Sequence, residues 1–339
     1  MFEPQFTYTN KIVNYIAKIA SAKEVITNAK IIPLYDTQLK QDALIKSSHY
    51  STSIEGNPLN LDEVKTLILN NQKPTTKAEQ EVLNYFNVLN HLDKYSNKTI
   101  TKNTILSLHK HLTKDLLRNP EYEGKFRDTS VIIGNVHTIK INYIPPDSYK
   151  VPYLVDELLD WLNNSTSEMY PVIVAGILHY ELVRIHPFID GNGRTSRIMA
   201  TLILSLNNFN IDNYFTLDEY YNKDRQAYVD ALHSADKNQD LTIWLEYFCQ
   251  GVVYSIEKVK NEVLTLAQIT SKYDNTIELT PNEITVLTLL EEKKHIKNKD
   301  IQEMLNISSQ ASYKIIKKLK DKNIIKNIGK GRSTEYELR

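Results

Sequence analysis

Cysteine is nearly missing from this chain, glycine is scarce and net charge is absent. A single cysteine, Cys249, rules out any disulfide within the chain, which fits a reducing compartment and leads us to expect a cytoplasmic protein. The 41 basic residues balance 41 acidic ones, so the chain as a whole is no polyelectrolyte binder, and only a local basic patch remains open to it. The N-terminus, MFEPQFTYTNKIVNYIAKIA, lacks the basic start and long apolar run of a secretory signal. The apolar runs PVIVAGIL and IMATLILSL fall far short of the roughly 20 residues a membrane helix needs, so no membrane partner is expected. What remains is ordinary for a soluble globular protein, and 339 residues suffice for more than one domain.

With glycine scarce and apolar residues recurring at helical spacing, the chain reads as mostly α. The spacing predicts two helices between Tyr8 and Glu55, broken near Ile32-Pro33 and closed by Glu55-Gly56-Asn57-Pro58. Further helices are predicted over Asn60–Asn71, Lys77–Asn97, Lys102–Leu116, Val151–Leu162, Pro171–Ile185, Arg194–Leu206, Lys223–Ser234 and Leu241–Gln268. Between Gly124 and Pro146 the pattern changes: VIIG and HTIKINYI are β-rich and flank Gly134-Asn135, a hairpin signal. Near Ser271–Asn275 the composition turns polar, and the remainder reads as three short helices and a small hairpin, opened by Thr280-Pro281.

The chemistry concentrates in His186-Pro187-Phe188-Ile189-Asp190-Gly191-Asn192-Gly193-Arg194-Thr195-Ser196-Arg197. Pro187 ends one helix and another starts near Arg194. Between them Gly191 and Gly193 let several N–H groups converge on an anion, aided by the positive end of the next helix. Arg194 and Arg197 share a helix face and suit a polyphosphate. Asp190 offers a hard oxygen to Mg²⁺, and His186 can take a proton from a hydroxyl. Together these groups suit phosphoryl or nucleotidyl transfer.

The run matches every specified position of HPFxDGNGRxxR and so resembles the Fic (Fic/DOC) family, a likeness that extends from Tyr8 to about Gln268. The resemblance implies transfer of AMP from ATP to a Ser, Thr or Tyr hydroxyl of a target protein, the chain itself included. His186 would be the general base and Asp190 the Mg²⁺ ligand. Asn192, with the backbone of Gly191 and Gly193, would hold the α-phosphate, while Arg194 and Arg197 grip the outer phosphates and Phe188 anchors the loop. The hairpin would be a target-docking flap carrying Val131, Ile132, Ile133, Ile139 and Ile141. Tyr228 and Asp236 fall on the adenine side, although the chain has Tyr228-Val229 where the family often pairs tyrosines. A homodimer is compatible with the family, and no coiled-coil seam requires it.

Ser51 and Glu55 lie four apart on a helix, and Glu55 sits in its last turn, where a carboxylate opposes the helix dipole. Alone, this reads as a solvated glutamate before a glycine cap. The run also resembles the inhibitory [S/T]xxxE[G/N] motif of Fic proteins, which implies a Glu55–Arg197 salt bridge in competition with the γ-phosphate of ATP, with Ser51 in support.

The expected architecture is a Fic-type helical core with a β-hairpin flap, plus a small C-terminal winged helix-turn-helix domain. Residues 1–110 form an N-terminal helical region with the inhibitory helix at about 38–56. Residues 111–270 form the core, with the flap at about 131–146, and residues 271–339 form the winged helix. In that last part Ile284, Val286, Leu287, Leu290, Ile301, Met304 and Leu305 mark core faces. Lys314, Lys317, Lys318 and Lys320 lie on its third helix, Gln310 and Ser312 are candidate base readers, and Gly329-Lys330-Gly331-Arg332 is a candidate wing tip. Two alternatives stay open: a DNA-binding regulator whose core senses nucleotide, and a hydrolase that removes AMP.

Overall fold

Fourteen α-helices and two antiparallel strand pairs make up the described residues of the computed structural model, which are all but 1, 30, 32, 97–98, 136–139, 210–213, 215, 275–278, 323, 330–333 and 339. They divide into two compact units: Met1–Thr27 with Leu39–Lys260, and Asn28–Gln38 with Asn261–Arg339.

Helices α1 (Asn10–Asn28) and α2 (Pro33–Ile54) flank the expected break at Pro33. Beyond α2, Gly56 adopts φ +97° and the Asn57 N–H reaches back to the Thr52 carbonyl at 3.1 Å, a glycine stop of the kind the sequence predicts. Reciprocal caps open α3 (Leu61–Leu69), where Asn60 pairs with Glu63, and α4 (Lys77–Asn90), where Thr76 pairs with Glu79. Helix α4 ends earlier than predicted because the His91 ring turns back onto the Asn87 carbonyl at 2.9 Å, and a 3-10 turn takes over. After α5 (Lys102–Thr113), the flap consists of β1 (Ile133–Asn135) and β2 (Lys140–Tyr143), with Ile133 opposite Tyr143. The strand expected from Val131 thus starts at Ile133, and Ile139 lies outside the described residues.

Helices α6 (Val151–Asn164), α7 (Pro171–Ile185) and α8 (Asn192–Leu206) follow the prediction closely. The helix expected from Lys223 is instead a pair, α9 (Asp218–Lys223) and α10 (Arg225–Asn238), split at Asp224, whose carboxylate caps the Ala227 N–H at 3.0 Å. Helix α11 (Thr242–Asp274) runs on past Gln268.

Helix α7 is buried without a break from Val172 to Leu182, including His179 and Glu181, as expected of the central helix of a core. Its partner α11 approaches closely at Gly176: the Trp244 indole N–H donates to the Gly176 carbonyl at 2.8 Å. A Cβ on Gly176 would lie 2.9 Å from a Leu245 methyl and 3.1 Å from the Phe248 ring.

In the second unit, α12 (Pro281–Lys293), α13 (Asn298–Leu305) and α14 (Ser309–Asp321) precede β3 (Ile325–Ile328) and β4 (Glu335–Leu338), and Ile296 bridges to Tyr336 as a short third strand. Val286, Leu287, Leu290, Ile301, Ile316, Leu319, Ile325 and Tyr336 form its core. Tyr35 of the α2 start is buried in this unit and donates to the Ile284 carbonyl at 3.4 Å. Two expectations are corrected. Met304, expected in the core, is 43% exposed, because the short α13 buries only Ile301 fully. Ser312, a candidate base reader, is buried with its hydroxyl on the Asn298 carbonyl at 3.3 Å. Lys314, Lys317, Lys318, Lys320 and Gln310 are exposed as expected, and Lys330, Gly331 and Arg332 of the wing tip lie outside the described residues.

Because the gap at Gly176 is closed, Gly176→Val should destabilise the first unit by about 2–3 kcal/mol, read as a lower urea midpoint for its unfolding. An unchanged midpoint would mean that α7 and α11 have slack there.

Candidate active site

The loop between α7 and α8 is shaped by groups that hold its backbone. His186 terminates α7 in the left-handed region, at φ +50°, with its N–H on the Leu182 carbonyl at 3.1 Å. A side chain tolerates that conformation only when its surroundings fix it. Arg127 does much of the fixing. Buried just before the flap, it donates from Nε to the His186 carbonyl at 2.8 Å, from Nη1 to the Thr129 carbonyl at 3.1 Å, and from Nη2 to the Pro146 carbonyl. Its own N–H reaches the Pro187 carbonyl at 2.9 Å. The Phe188 ring is buried and lies flat on the His109 ring, with centroids 3.6 Å apart. His109 accepts from the Gly124 N–H through Nδ1, which leaves Nε2–H to donate to the Asp190 carbonyl at 2.9 Å. Burial holds this imidazole neutral, with its pKa pushed down to about 4.

Asn192 closes the loop from inside. Its Oδ1 accepts from the Phe188 N–H at 2.9 Å and its Nδ2 donates to the Phe188 carbonyl at 2.8 Å. The side chain expected on a phosphate is therefore occupied by the loop backbone, and what Asn192 offers an anion is its N–H. Gly191 caps α8 at φ +82°, where a Cβ would strike the Thr113 methyl. The first bond of α8 runs from Thr195 N–H to the Gly191 carbonyl at 2.9 Å. The N–H groups of Asn192, Gly193 and Arg194 therefore lack helical acceptors and point out at the positive end of the dipole.

A carboxylate already sits at that end. Glu55 Oε1 lies so close to Gly193 that a Cβ there would overlap it, and it accepts from Arg197 Nη2 at 2.7 Å. Ser51 completes the grip, accepting from Arg197 Nε on its hydroxyl at 2.7 Å and from Nη2 on its carbonyl at 2.9 Å. Asp218 lies 3.3 Å from the same Arg197 Nε and accepts from the Thr216 hydroxyl at 3.2 Å and from the Ser47 hydroxyl of α2. Arg225 donates to the Ile54 carbonyl at the end of α2. Burial opposes ionisation of Glu55, but Arg197, Arg194 and Arg225 outweigh it and hold the carboxyl below its ordinary range. The Glu55 side chain is still 34% exposed, so a competitor can reach it. Arg194, expected beside Arg197 on a shared face, turns elsewhere and pairs with Glu81 at 2.5 Å and Asp190 at 3.0 Å.

A cavity of about 280 Å³ opens here, lined by Glu55, Gly193, Arg197, His186, Ile133 of the flap, and Tyr180 and Asp236 at its far end. His186 Nδ1 lies 3.3 Å from the Val183 carbonyl, which fits an Nδ1–H tautomer and leaves Nε2 with a free lone pair. Burial, aided by Arg127, pushes this imidazole down to about 4 against the opposing pull of the Val183 carbonyl, Glu55 and Asp190. Of the adenine-side pair, Asp236 accepts from the Tyr180 hydroxyl at 2.6 Å. Tyr228 is buried with its hydroxyl 2.8 Å from His179 Nε2 and its ring stacked on Tyr221, so only part of it faces the cavity.

Asp190 fits a Mg²⁺ ligand. Its side chain is 62% exposed, with Oδ1 engaged by Arg194 and the Gly191 N–H. Among the described residues no group of three or more His, Cys, Asp or Glu could cage a metal. A single outward carboxylate suits an ion that takes its remaining ligands from phosphates and water. Among the described residues no helix is long and apolar enough to cross a membrane. Arg127, His109, Glu81 and Asp218 stand in no motif or periodic pattern of the sequence that marks them for the site.

Residues 99–204 match the Fic/DOC family and residues 279–327 match the MarR family. The chain is 32% identical over 175 residues to the protein adenylyltransferase Fic of Drosophila willistoni, covering 49% of this chain and 32% of that protein. With the same enzyme of Culex quinquefasciatus it shares 34% over 179 residues, covering 49% and 33%. The chain thus spans about a third of the length of the curated relatives it matches. Among solved structures, a Fic family protein from Desulfovibrio desulfuricans superposes with a TM-score of 0.70 at 22% identity, covering 100% of this chain and 98% of that one. Fic-1 from C. elegans gives 0.60 at 22%, covering 75% and 74%; both likenesses are of fold. The chain therefore carries a Fic/DOC-family domain over residues 99–204, followed by a MarR-like C-terminal domain.

Proposed function

We propose that this chain is a protein adenylyltransferase held off by its own Glu55. The observation that carries the reading is the Glu55 carboxylate, bonded to Arg197 at 2.7 Å over the open N-terminus of α8. It occupies the place and the charge of an anionic substrate group, as the phosphates of ATP would. With Glu55 withdrawn, the N–H groups of Asn192, Gly193 and Arg194 and the Arg197 guanidinium are available to a triphosphate. Asp190 would hold Mg²⁺, which supplies charge neutralisation on the phosphates. His186 Nε2 then takes the proton of a target hydroxyl. The hydroxyl oxygen bonds to the α-phosphorus, and the bond from that phosphorus to pyrophosphate breaks. The flap places Ile133 at the cavity edge, where an extended target segment could add as a strand.

A second reading concerns the C-terminal unit alone and is favoured by the exposed face of α14. Gln310, Tyr313, Lys314 and Lys317 follow one another at helical spacing there, with Lys318 and Lys320 beside them, and Ser308 caps the helix. We infer a surface for duplex DNA, dominated by phosphate contacts.

Transfer of label from α-labelled ATP with Mg²⁺ should rise at least about tenfold in Glu55→Gly and fall by about 10²–10⁴ from that level in Glu55→Gly/His186→Ala. Unchanged labelling in Glu55→Gly would remove the brake. Because the His186 pKa is lowered to about 4 from 6.5, the free base persists as pH falls through 6.5, and the acid limb of kcat/KM in Glu55→Gly should break well below that value. A break at or above 6.5 would point to another base. For the second reading, Lys314→Gln/Lys317→Gln should weaken duplex binding and reduce its log–log salt slope by about 2. Absence of salt-dependent binding by the unaltered chain would contradict it.

A further inference from the structure

Glu81 holds two groups that belong to different halves of the mechanism. On α4, one of its oxygens pairs with Arg194 Nη1 at 2.5 Å and the other accepts from Asn57 Nδ2 at 2.7 Å. Asn57 stands two residues beyond Glu55. Its Nδ2 also donates to the Ala78 carbonyl at 2.9 Å, and its Oδ1 accepts from the Leu59 N–H at 3.1 Å. Its own N–H closes the end of α2 on the Thr52 carbonyl at 3.1 Å. The stop of the helix that carries Glu55 is thus fastened to α4, and α4 is ion-paired to the first arginine of the loop.

Arg194 depends on that pair. It is buried and its Nε finds no acceptor among the described residues, and its guanidinium pairs with Glu81 and Asp190. Of the two carboxylates, Glu81 is the sheltered one, at 16% side-chain exposure against 62% for Asp190. A sheltered partner loses less of its attraction to water and salt. Removing it leaves a buried guanidinium whose remaining ion-pair partner is Asp190, the carboxylate suited to Mg²⁺.

We propose that Glu81 is a positioning residue with two duties: it fixes Arg194 at the first turn of α8, and through Asn57 it fixes the end of α2 so that Glu55 reaches Arg197. This rests on the reading of Glu55 as a brake. The two duties have opposite consequences. While Glu55 is present, loosening Asn57 releases the brake. Once Glu55 is gone only the Arg194 duty remains, and loss of Glu81 weakens the hold on the triphosphate.

The test places Asn57→Ala and Glu81→Gln in the unaltered and the Glu55→Gly chains, reading AMP transfer, KM and kcat for Mg·ATP, Mg·ATP affinity by calorimetry, and hydrogen exchange at the amides of residues 55–57. Asn57→Ala should raise transfer severalfold to about tenfold in the unaltered chain, give no further gain with Glu55→Gly, and speed exchange at those amides. Glu81→Gln should speed the same exchange, and with Glu55→Gly it should raise KM for Mg·ATP about tenfold while changing kcat less. Unchanged exchange in both variants, or an unchanged or lower KM for Glu81→Gln with Glu55→Gly, would overturn the proposal. If Glu55→Gly itself transfers no AMP, the adenylyltransferase reading fails on its own, and exchange with Mg·ATP affinity still decides the role of Glu81.

Discussion

A buried guanidinium must be met by negative charge, and the first unit is arranged around that requirement at Arg197. Ser51 comes to it from α2, Glu55 from the turn that follows α2, and Asp218 from α9. Helices α2 and α9 are far apart in sequence. What brings them together is the cost of leaving Arg197 unpaired, which runs to several kcal/mol for a buried ion. Asp218 is buried, whereas the Glu55 side chain is partly exposed, and in the function we propose a triphosphate displaces Glu55 and takes its place.

The loop depends on a different constraint, the satisfaction of its backbone. Left-handed turns at His186 and Gly191 aim the imidazole and the helix N–H groups into one cavity. Both turns are costly unless the carbonyls they expose find donors. Arg127, His109 and Asn192 supply donors to the loop carbonyls, so three polar side chains beside the cavity hold the loop itself. Preorganisation of this kind fixes donors in position before charge develops.

The parts legible from sequence were those whose chemistry is local. The run His186–Arg197 carries its base, turn glycines and arginines within one stretch, and the Glu55-Gly56 stop is a local signal as well. The direction in which a side chain points was less legible. Spacing alone put Arg194 and Arg197 on one face, yet Glu81 draws one away and Asp218 with Glu55 holds the other. Arg127, Glu81 and Asp218 left no trace because their partners are defined only once helices distant in sequence have packed. In the C-terminal unit the helical period found most of the core and erred at Met304, on a short helix, while Ser312, a candidate base reader, is turned inward onto the Asn298 carbonyl.

The central claim is that Glu55 and the outer phosphates of ATP compete for Arg197. Dissociation constants for Mg·ATP and for AMP, measured by calorimetry on the unaltered chain and on Glu55→Gly, address it most directly. The account predicts that ATP binding tightens by about tenfold or more while AMP, which lacks the outer phosphates, changes little. Equal gains for both nucleotides, or none for ATP, would contradict it.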